Sequence, residues 1–372
     1  AERGSPKLPP RILGTGYAES RGMRHGYIVS PEEITKSVEA AVAQAQKSAR
    51  VPVKRAYLGL GGVSLDEIFS RGEAVVTRGD SEVTARDLSQ ALAASEGTIS
   101  PSQILNKKII HSIPLRYSVD GTRVLGGNPV GMKGMKLSVE TLFITCLSQH
   151  LRDLVEAVEE AGIEVEDVVA SPLAASFVTL TKPQKMAGCV LANIGAETLS
   201  IVIFEDGLPI SVKAFPMGSN DITNDIALGL RVPLEEAEQI KLGAITGTNY
   251  PRRKLDDIIA RRLSDMFKLV EAHLKKMGKD GLLPAGIIIT GGGSGLVNAV
   301  DLAKGVLRLP SRVGTLLTGD TSRMQLRDGS WAVAYGLTIW GFTAGNEYEK
   351  HNEGVVQSMG KEITRFLKKF LP

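Results

Sequence analysis

An α/β fold with material for two or more packed units is predicted by three stretches of the chain. In the first, Gly286-Ile-Ile-Ile-Thr-Gly-Gly-Gly-Ser-Gly295, a β-branched run meets a glycine turn. Ile287 to Ile289 read as a strand buried on both faces. Gly291, Gly292 and Gly293 then let the chain turn through conformations closed to residues with a Cβ. Ser294 or Asn298 caps or enters the next helix, whose apolar face is Leu296, Val297, Val300 and Leu302 or Ala303. Strand, glycine turn and helix together bring bare backbone N–H groups to a nucleotide, although such turns also serve packing alone. In the second stretch, three strands follow one another closely: Gly188 to Asn193, Thr198 to Phe204 and Leu208 to Phe215. In the third, residues 62–146, short strands surround one helix, the pattern of a small α+β unit inserted in a larger domain. With 372 residues, 43% of them hydrophobic, the chain can build more than one core.

Taken in order, residues 1–10 are a polar, proline-containing lead, and Arg11 to Tyr17 read as a short strand. A turn at Ser20-Arg-Gly-Met-Arg-His-Gly26 precedes a helix opened by Pro31, with Ile34, Val38, Ala41, Val42 and Ala45 on one face. Arg55 to Leu60 is a strand. Inside 62–146, strands at Glu73, Lys108 to Ile113 and Thr141 to Ile144 accompany a helix from Thr84, with turns at Val119-Asp-Gly and Gly126-Gly-Asn-Pro. Helix 147–161, strand 164–170 and helix 172–180 follow, and Pro183 breaks the chain. Asp206-Gly207 marks a hairpin. The chain is then mostly helical (219–230, 234–243, 253–277) up to the strand at 286. A last apolar helix runs from Trp331 to Gly341, and 344–358 is a polar linker.

Composition removes several function classes. A net charge of +3 is too small to argue for nucleic acid. The two cysteines, Cys146 and Cys189, lie in apolar runs and read as buried reduced thiols of a cytoplasmic protein. The five histidines are scattered without ligand spacing, which argues against a side-chain metal site. His25 and His150 read as surface or helix histidines with no assigned role. No apolar run approaches the ~18 residues of a membrane-spanning helix, and the first residues lack a signal-peptide pattern.

The order of motifs carries more than any one of them. A strand ends in Asn193-Ile-Gly195-Ala196-Glu197-Thr198 and returns, so a tight hairpin offers backbone N–H groups and the Thr198 hydroxyl to a phosphate. Gly218-Ser-Asn-Asp and Glu235-Glu-Ala-Glu238-Gln-Ile-Lys241 follow, and then the Gly291–Gly293 turn. Glu238 and Lys241, three apart on one helical face, otherwise read as a solvated charge pair, and Asn193 and Thr198 as ordinary hairpin polar residues. The order resembles the actin/Hsp70/sugar-kinase superfamily. Within it, Ser20-Arg-Gly-Met23, Asn128-Pro-Val-Gly-Met132, Asp221-Ile-Thr-Asn-Asp-Ile-Ala227, Glu236-Ala-Glu-Gln-Ile-Lys241 and Thr290-Gly-Gly-Gly293 resemble the FtsA family of actin-like bacterial cell-division proteins.

The resemblance implies a two-lobed actin-like (ribonuclease H-like) α/β fold with an inserted α+β subdomain and a C-terminal amphipathic helix. Its expected parts are the first lobe (1–61 and 147–185), the insertion (62–146), the second-lobe core (186–222) and a helical subdomain (223–283). The second-lobe core with the return to the first lobe (284–343), a linker (344–359) and the amphipathic helix (360–372) complete it. It further implies ATP or ADP with Mg2+ between the lobes, held by Asn193, Gly195, Thr198, Gly218, Glu238, Lys241, Gly291, Gly292, Gly293 and Ser294. The implied function is a filament-forming adaptor at the cytoplasmic face of the cell membrane at the division site. There it would tie FtsZ to anionic lipids and recruit later division proteins. A pilus-assembly actin-like adaptor and a sugar or acetate kinase are the alternatives; a kinase needs an acid or base for an acceptor hydroxyl.

Two departures bear on activity. The superfamily's first strand pair, with its Asp-x-Gly-Thr/Ser phosphate loop, is expected ahead of Ile12 and is not found there; a shortened protein and a longer one both accommodate this. At the second hairpin, Asn193 replaces an Asp that would organise magnesium and water, and Ala196 and Glu197 replace glycines. Glu197 puts negative charge near the expected phosphate. At most a slow ATPase is expected.

The tail, Gly360 to Pro372, carries Ile363, Phe366, Leu367, Phe370 and Leu371 on one helical face, with Lys361, Arg365, Lys368 and Lys369 around it. In a bilayer interface the apolar face is buried and each base adds on the order of 1 kcal/mol on anionic lipid. Deleting 360–372, or changing Phe366 and Phe370 to Glu, should abolish co-sedimentation with anionic liposomes; pelleting at the parent level would refute the anchor.

Overall fold

The computed structural model describes residues 10–77, 79–244, 250–317 and 328–348. The tail residues Ile363, Arg365, Phe366, Leu367, Lys368, Lys369, Phe370 and Leu371 lie outside the described residues. The chain first forms a two-strand ribbon, β1 (Met23–Arg24) and β2 (Tyr27–Ile28), turning at His25 and Gly26. Helix α1 (Pro31–Ala49) follows, with proline in the first turn and Glu32 and Glu33 at its positive end. Strand β3 is Arg55–Leu60.

The expected strand at Arg11 to Tyr17 is not formed; only Arg11 makes an isolated bridge. Its glycines explain this. A Cβ at Gly14 would lie 2.5 Å from the Ala49 nitrogen, and one at Gly16 would overlap the Ala41 carbonyl, so the segment packs directly on α1.

The inserted unit comprises β4 (Asp66–Val75), α2 (Ala85–Gly97), α3 (Pro101–Ile104), β5 (Lys107–Val119), β6 (Thr122–Arg123) and β7 (Lys136–Leu147). Its strands pair antiparallel in the order β4-β7-β5-β6. The Thr84 hydroxyl and the Asp87 carboxylate cap α2 reciprocally. Val83, Ala91, Leu92, Tyr117, Leu137 and Val139 fill a small core of their own.

The chain then returns through α4 (Ser148–Glu160) and β8 (Glu164–Ala170), which pairs parallel with β3, to α5 (Ser171–Thr179). Pro183 does not break the chain as expected. It sits in the first turn of α6 (Lys182–Ala187), where its missing N–H costs no hydrogen bond. Strands β9 (Cys189–Ile194), β10 (Leu199–Glu205) and β11 (Leu208–Phe215) make an antiparallel meander. Helices α7 (Ser219–Leu230), α8 (Leu234–Lys241) and α9 (Arg252–Lys276) follow. Strand β12 (Ile287–Thr290) inserts parallel beside β9; α10 (Ala299–Leu307), β13 (Ser311–Val313) and α11 (Ala332–Tyr348) complete the described chain.

The five-stranded sheet, β11-β10-β9-β12-β13, is covered on both faces. Val190, Ala192, Ile201, Ile203, Ile287 and Ile289 pack among Ile259, Leu263 and Phe267 of α9. Leu191, Val202, Phe204 and Ile288 point the other way, into a core shared with Leu173 and Val178 of α5. Two-sided burial is why these strands read as unbroken apolar runs. Two further expectations need correction. Residues Gly292–Gly295 form a short 3-10 turn and α10 starts only at Ala299, because Asn298 is left-handed (φ +63°); Val297 is exposed, not on the buried face. Helix α11 also continues to Tyr348, into the stretch read as linker.

A buried polar cluster joins the inserted unit to the five-stranded sheet. The Ser211 hydroxyl of β11 donates to Glu67 of β4 at 2.7 Å and lies 2.7 Å from His273 Nε2 of α9, while the Val212 N–H donates to the same Glu67 oxygen at 3.0 Å. Burial, reinforced by Lys213 and Lys276, pushes the His273 imidazole down to about 4, and burial raises the Glu67 carboxyl. A histidine depressed in the folded state takes up its proton first in the unfolded chain, so stability falls as pH drops from the usual imidazole range toward 4. Over that window urea unfolding of the parent should lose up to about 1.4 kcal/mol per pH unit more than His273→Gln; parallel pH profiles would refute the assignment.

Candidate functional site

The turn between β9 and β10 is folded down onto the start of α7. Gly195 N–H donates to the Thr198 carbonyl at 2.9 Å, closing the turn. The carbonyls of Gly195 and Ala196 then accept from Ser219 N–H (2.9 Å) and Asn220 N–H (2.7 Å). These are N–H groups that a helix start leaves without a partner in its own helix. Asp221 accepts from Gly218 N–H at 2.8 Å, and a Cβ at Gly218 would overlap the Ala196 carbonyl. The α7 N-terminus is therefore engaged by the hairpin, and Gly218 serves close approach.

Beside this turn stands the glycine loop that leaves β12. Parallel pairing sets Thr290 opposite Asn193, so Gly291 lies against the end of β9. Gly291 has φ +90°, and a Cβ there would overlap Asn193 Oδ1 and the Ile194 carbonyl. At Gly293 a Cβ would lie 2.5 Å from Ile194 Cγ2. Gly292 differs: a Cβ there meets nothing within 4 Å. Ser294 is buried; its N–H donates to the Gly291 carbonyl at 3.0 Å.

Helix α8 brings up the third wall. Lys241 Nζ lies 2.7 Å from Glu238 Oε2 and donates to the Thr223 hydroxyl (2.8 Å) and the Ser219 carbonyl (3.2 Å), and Thr223 donates to Glu238 at 2.6 Å. The Lys241 side chain is only 5% exposed, that of Glu238 38%. This is a closed network rather than a solvated pair, and Lys241 is held by it.

These walls bound a cleft of about 1200 Å³. Glu238, Lys241, Gly292 and Gly293 line it, with Ala196 and Ser219. The first lobe faces them with Thr15, Gly16, Tyr17, Gln44 and Lys47, and Asp328 and Trp331 close one side. Asn193, Gly195, Thr198, Gly218, Gly291 and Ser294 stand behind the lining residues and shape the wall. Glu197 does not face the cleft as a bare negative charge. Its Oε2 accepts from the His25 N–H of the first lobe at 2.6 Å, and its carbonyl lies 3.1 Å from His25 Nδ1. Thr223, His25 and the first-lobe lining were not found from sequence, because only the folded chain brings them here.

The family described as "Cell division protein FtsA" matches residues 190–336, and "SHS2 domain inserted in FTSA" matches 68–145. The cell division protein FtsA of Bacillus subtilis (strain 168) is 30% identical over 347 residues, covering 88% of this chain and 77% of that protein. The chain belongs to the FtsA family. FtsA of Pseudomonas aeruginosa is 28% identical over 369 residues, 94% of this chain and 86% of that protein. Among solved structures, a chain of a PilM–PilN type IV pilus biogenesis complex superposes with a TM-score of 0.61 at 17% identity, over 87% of this chain and 89% of that one. That likeness is one of fold. As a member of that family, the protein is a cell-division protein with the actin-like α/β fold and an inserted SHS2 subdomain, and the pilus-adaptor and kinase readings give way. No described helix is long and apolar enough to cross a membrane.

The two neighbouring glycines should behave oppositely. Gly291→Ala forces a Cβ into Asn193 and Ile194 at positive φ and should cost about 1–3 kcal/mol in urea unfolding. Gly292→Ala should change stability by less than about 0.5 kcal/mol.

Proposed function

We propose that the cleft binds an adenine nucleotide as a structural ligand whose presence favours self-association, and that turnover is slow. One observation carries this reading. Gly292 opens, without any neighbour within 4 Å of a Cβ, into a 1200 Å³ cleft faced by the Glu238–Lys241 network. A flat aromatic base fits against bare backbone of this kind. Glu238, the more exposed acid, would accept a ribose hydroxyl, while Lys241, fixed by Thr223 and the Ser219 carbonyl, holds Glu238 in place. Phosphates would extend toward Ala196 and the first-lobe residues Thr15 and Gly16. A nucleotide there would meet lining residues of both lobes, Lys47 among them, and Mg2+ would come with its phosphates.

Slow turnover follows from the β9–β10 turn. Asn193 is neutral and its side chain packs on Gly291, so it neither takes a proton from water nor offers a metal a carboxylate. Within this reading, FtsZ, anionic lipid at the cytoplasmic face of the membrane, and later division proteins are the partners, at the division site. Family membership and the basic amphipathic tail support them.

Titration with fluorescent ADP and ATP tests the nucleotide directly. The parent should bind and Gly292→Trp should not, with both proteins equally folded by circular dichroism. Turnover should stay below about 1 s⁻¹. Equal affinity in the two proteins, or turnover at ordinary enzyme rates, would overturn the reading.

A further inference from the structure

The hairpin tip at the cleft, the β1–β2 ribbon and the root of the inserted subdomain form one unbroken chain of contacts. Glu197 grips His25 twice, its carboxylate accepting from the backbone N–H at 2.6 Å and its carbonyl facing Nδ1 at 3.1 Å. Where the superfamily pattern has glycine, this residue has a side chain able to reach across to the other lobe. His25 and Gly26 form the ribbon turn, at φ +49° and +90°. On its far side the His25 carbonyl accepts from Val63 N–H at 3.2 Å. Gly26 and Gly62 lie backbone to backbone: a Cβ on Gly62 would sit 2.7 Å from Gly26 Cα and 2.8 Å from the His25 carbonyl oxygen. No side chain cushions that contact, so a shift of the turn displaces Gly62 directly.

Gly62 belongs to the connector through which the chain enters the inserted subdomain at β4. The chain leaves at Leu147, and the first turn of α4 carries His150. The Ser64 hydroxyl is hydrogen-bonded to His150 Nδ1, which joins the entering connector to the leaving one. Tyr27 of β2 packs on the His150 ring with centroids 5.0 Å apart. The ribbon therefore touches the root of the subdomain on both connectors, while Glu197 holds the same ribbon from the cleft side.

We propose that Glu197 is a positioning residue that couples the cleft to the hinge of the inserted subdomain, through the His25–Gly26 turn, to Gly62–Ser64 and His150. The two states are Glu197 clasped to His25 and Glu197 released. Filling the cleft shifts their balance at the Ala196–Glu197 tip, a step that rests on the nucleotide reading above. The clasp itself does not depend on it.

Hydrogen–deuterium exchange of the full chain tests both parts, with Glu197→Ala and Glu197→Gln as variants. Without nucleotide, Glu197→Ala should speed exchange of the Val63 amide and its neighbours about tenfold, the shift that loss of one charge-assisted hydrogen bond supports. Glu197→Gln keeps an acceptor for the His25 N–H and should restore much of the protection. Equal rates at 61–66 in the parent and Glu197→Ala would overturn the proposal, whatever the nucleotide does. With saturating ADP, peptides of the Gly291–Gly295 loop report binding. A response there accompanied by altered exchange at 61–66 and 148–153, lost only at those hinge peptides in Glu197→Ala, supports the coupling. A loop response with an identical hinge response in Glu197→Ala overturns it. Silence at the loop counts against the nucleotide reading, and the ligand-free comparison then decides the clasp.

Discussion

The parallel pairing of β12 with β9 is the constraint on which the rest of the molecule depends. Its register places Thr290 opposite Asn193, so two turns far apart in the chain leave the sheet side by side. The spacing of adjacent strands leaves no room for a side chain at Gly291, which must meet Asn193 and Ile194 with bare backbone. A slip of one residue would reverse which face each side chain takes and carry Gly292 away from the cleft. Cleft, wall and core are thus set by one register.

That register holds because both faces of the sheet are buried. Ile287 and Ile289 are locked among the residues packed on α9, and Ile288 among those packed on α5. Each strand therefore loses apolar contacts on two sides if it moves, and burial is worth roughly 25 cal/mol per Å² of apolar surface. The inserted subdomain is fixed by both kinds of contact. It has a small core of its own, sends Ile113, Leu142, Ile144 and Cys146 into the core shared with α5, and is joined further by polar contacts at Glu67–Ser211–His273 and at Ser64–His150. Polar contacts of this kind are directional and have alternative partners, whereas packed apolar layers resist sliding.

Membership of the FtsA family gives this arrangement its biological setting, while the chain's own residues give it a character of its own. Asn193, Ala196 and Glu197 alter the hairpin that faces the cleft. Two of them act in the structure through packing and cross-lobe hydrogen bonding: Asn193 on Gly291, and Glu197 on His25. The hairpin is thereby linked to the other lobe.

Local chemistry alone determined a good part of this protein. The apolar runs at 189–194, 199–205 and 287–290 had to be strands, the last of them buried on both faces, Asp206-Gly207 had to turn a hairpin, and Pro31 had to open a helix, because each is decided within a few residues. Glu238 and Lys241 could be paired from helical spacing, and the order of motifs was sufficient to place the chain in its family. Tertiary structure decided what depends on neighbours distant in sequence. Arg11 to Tyr17 has strand-like composition but lies on α1, because Gly14 and Gly16 allow an approach that sheet pairing would have to outcompete. Lys241 is held through Thr223 and Ser219, which no helical spacing reveals. Glu197 looked like a charge aimed at a phosphate, yet a backbone N–H from the other lobe captures it, since a carboxylate turns to whichever donor the fold presents.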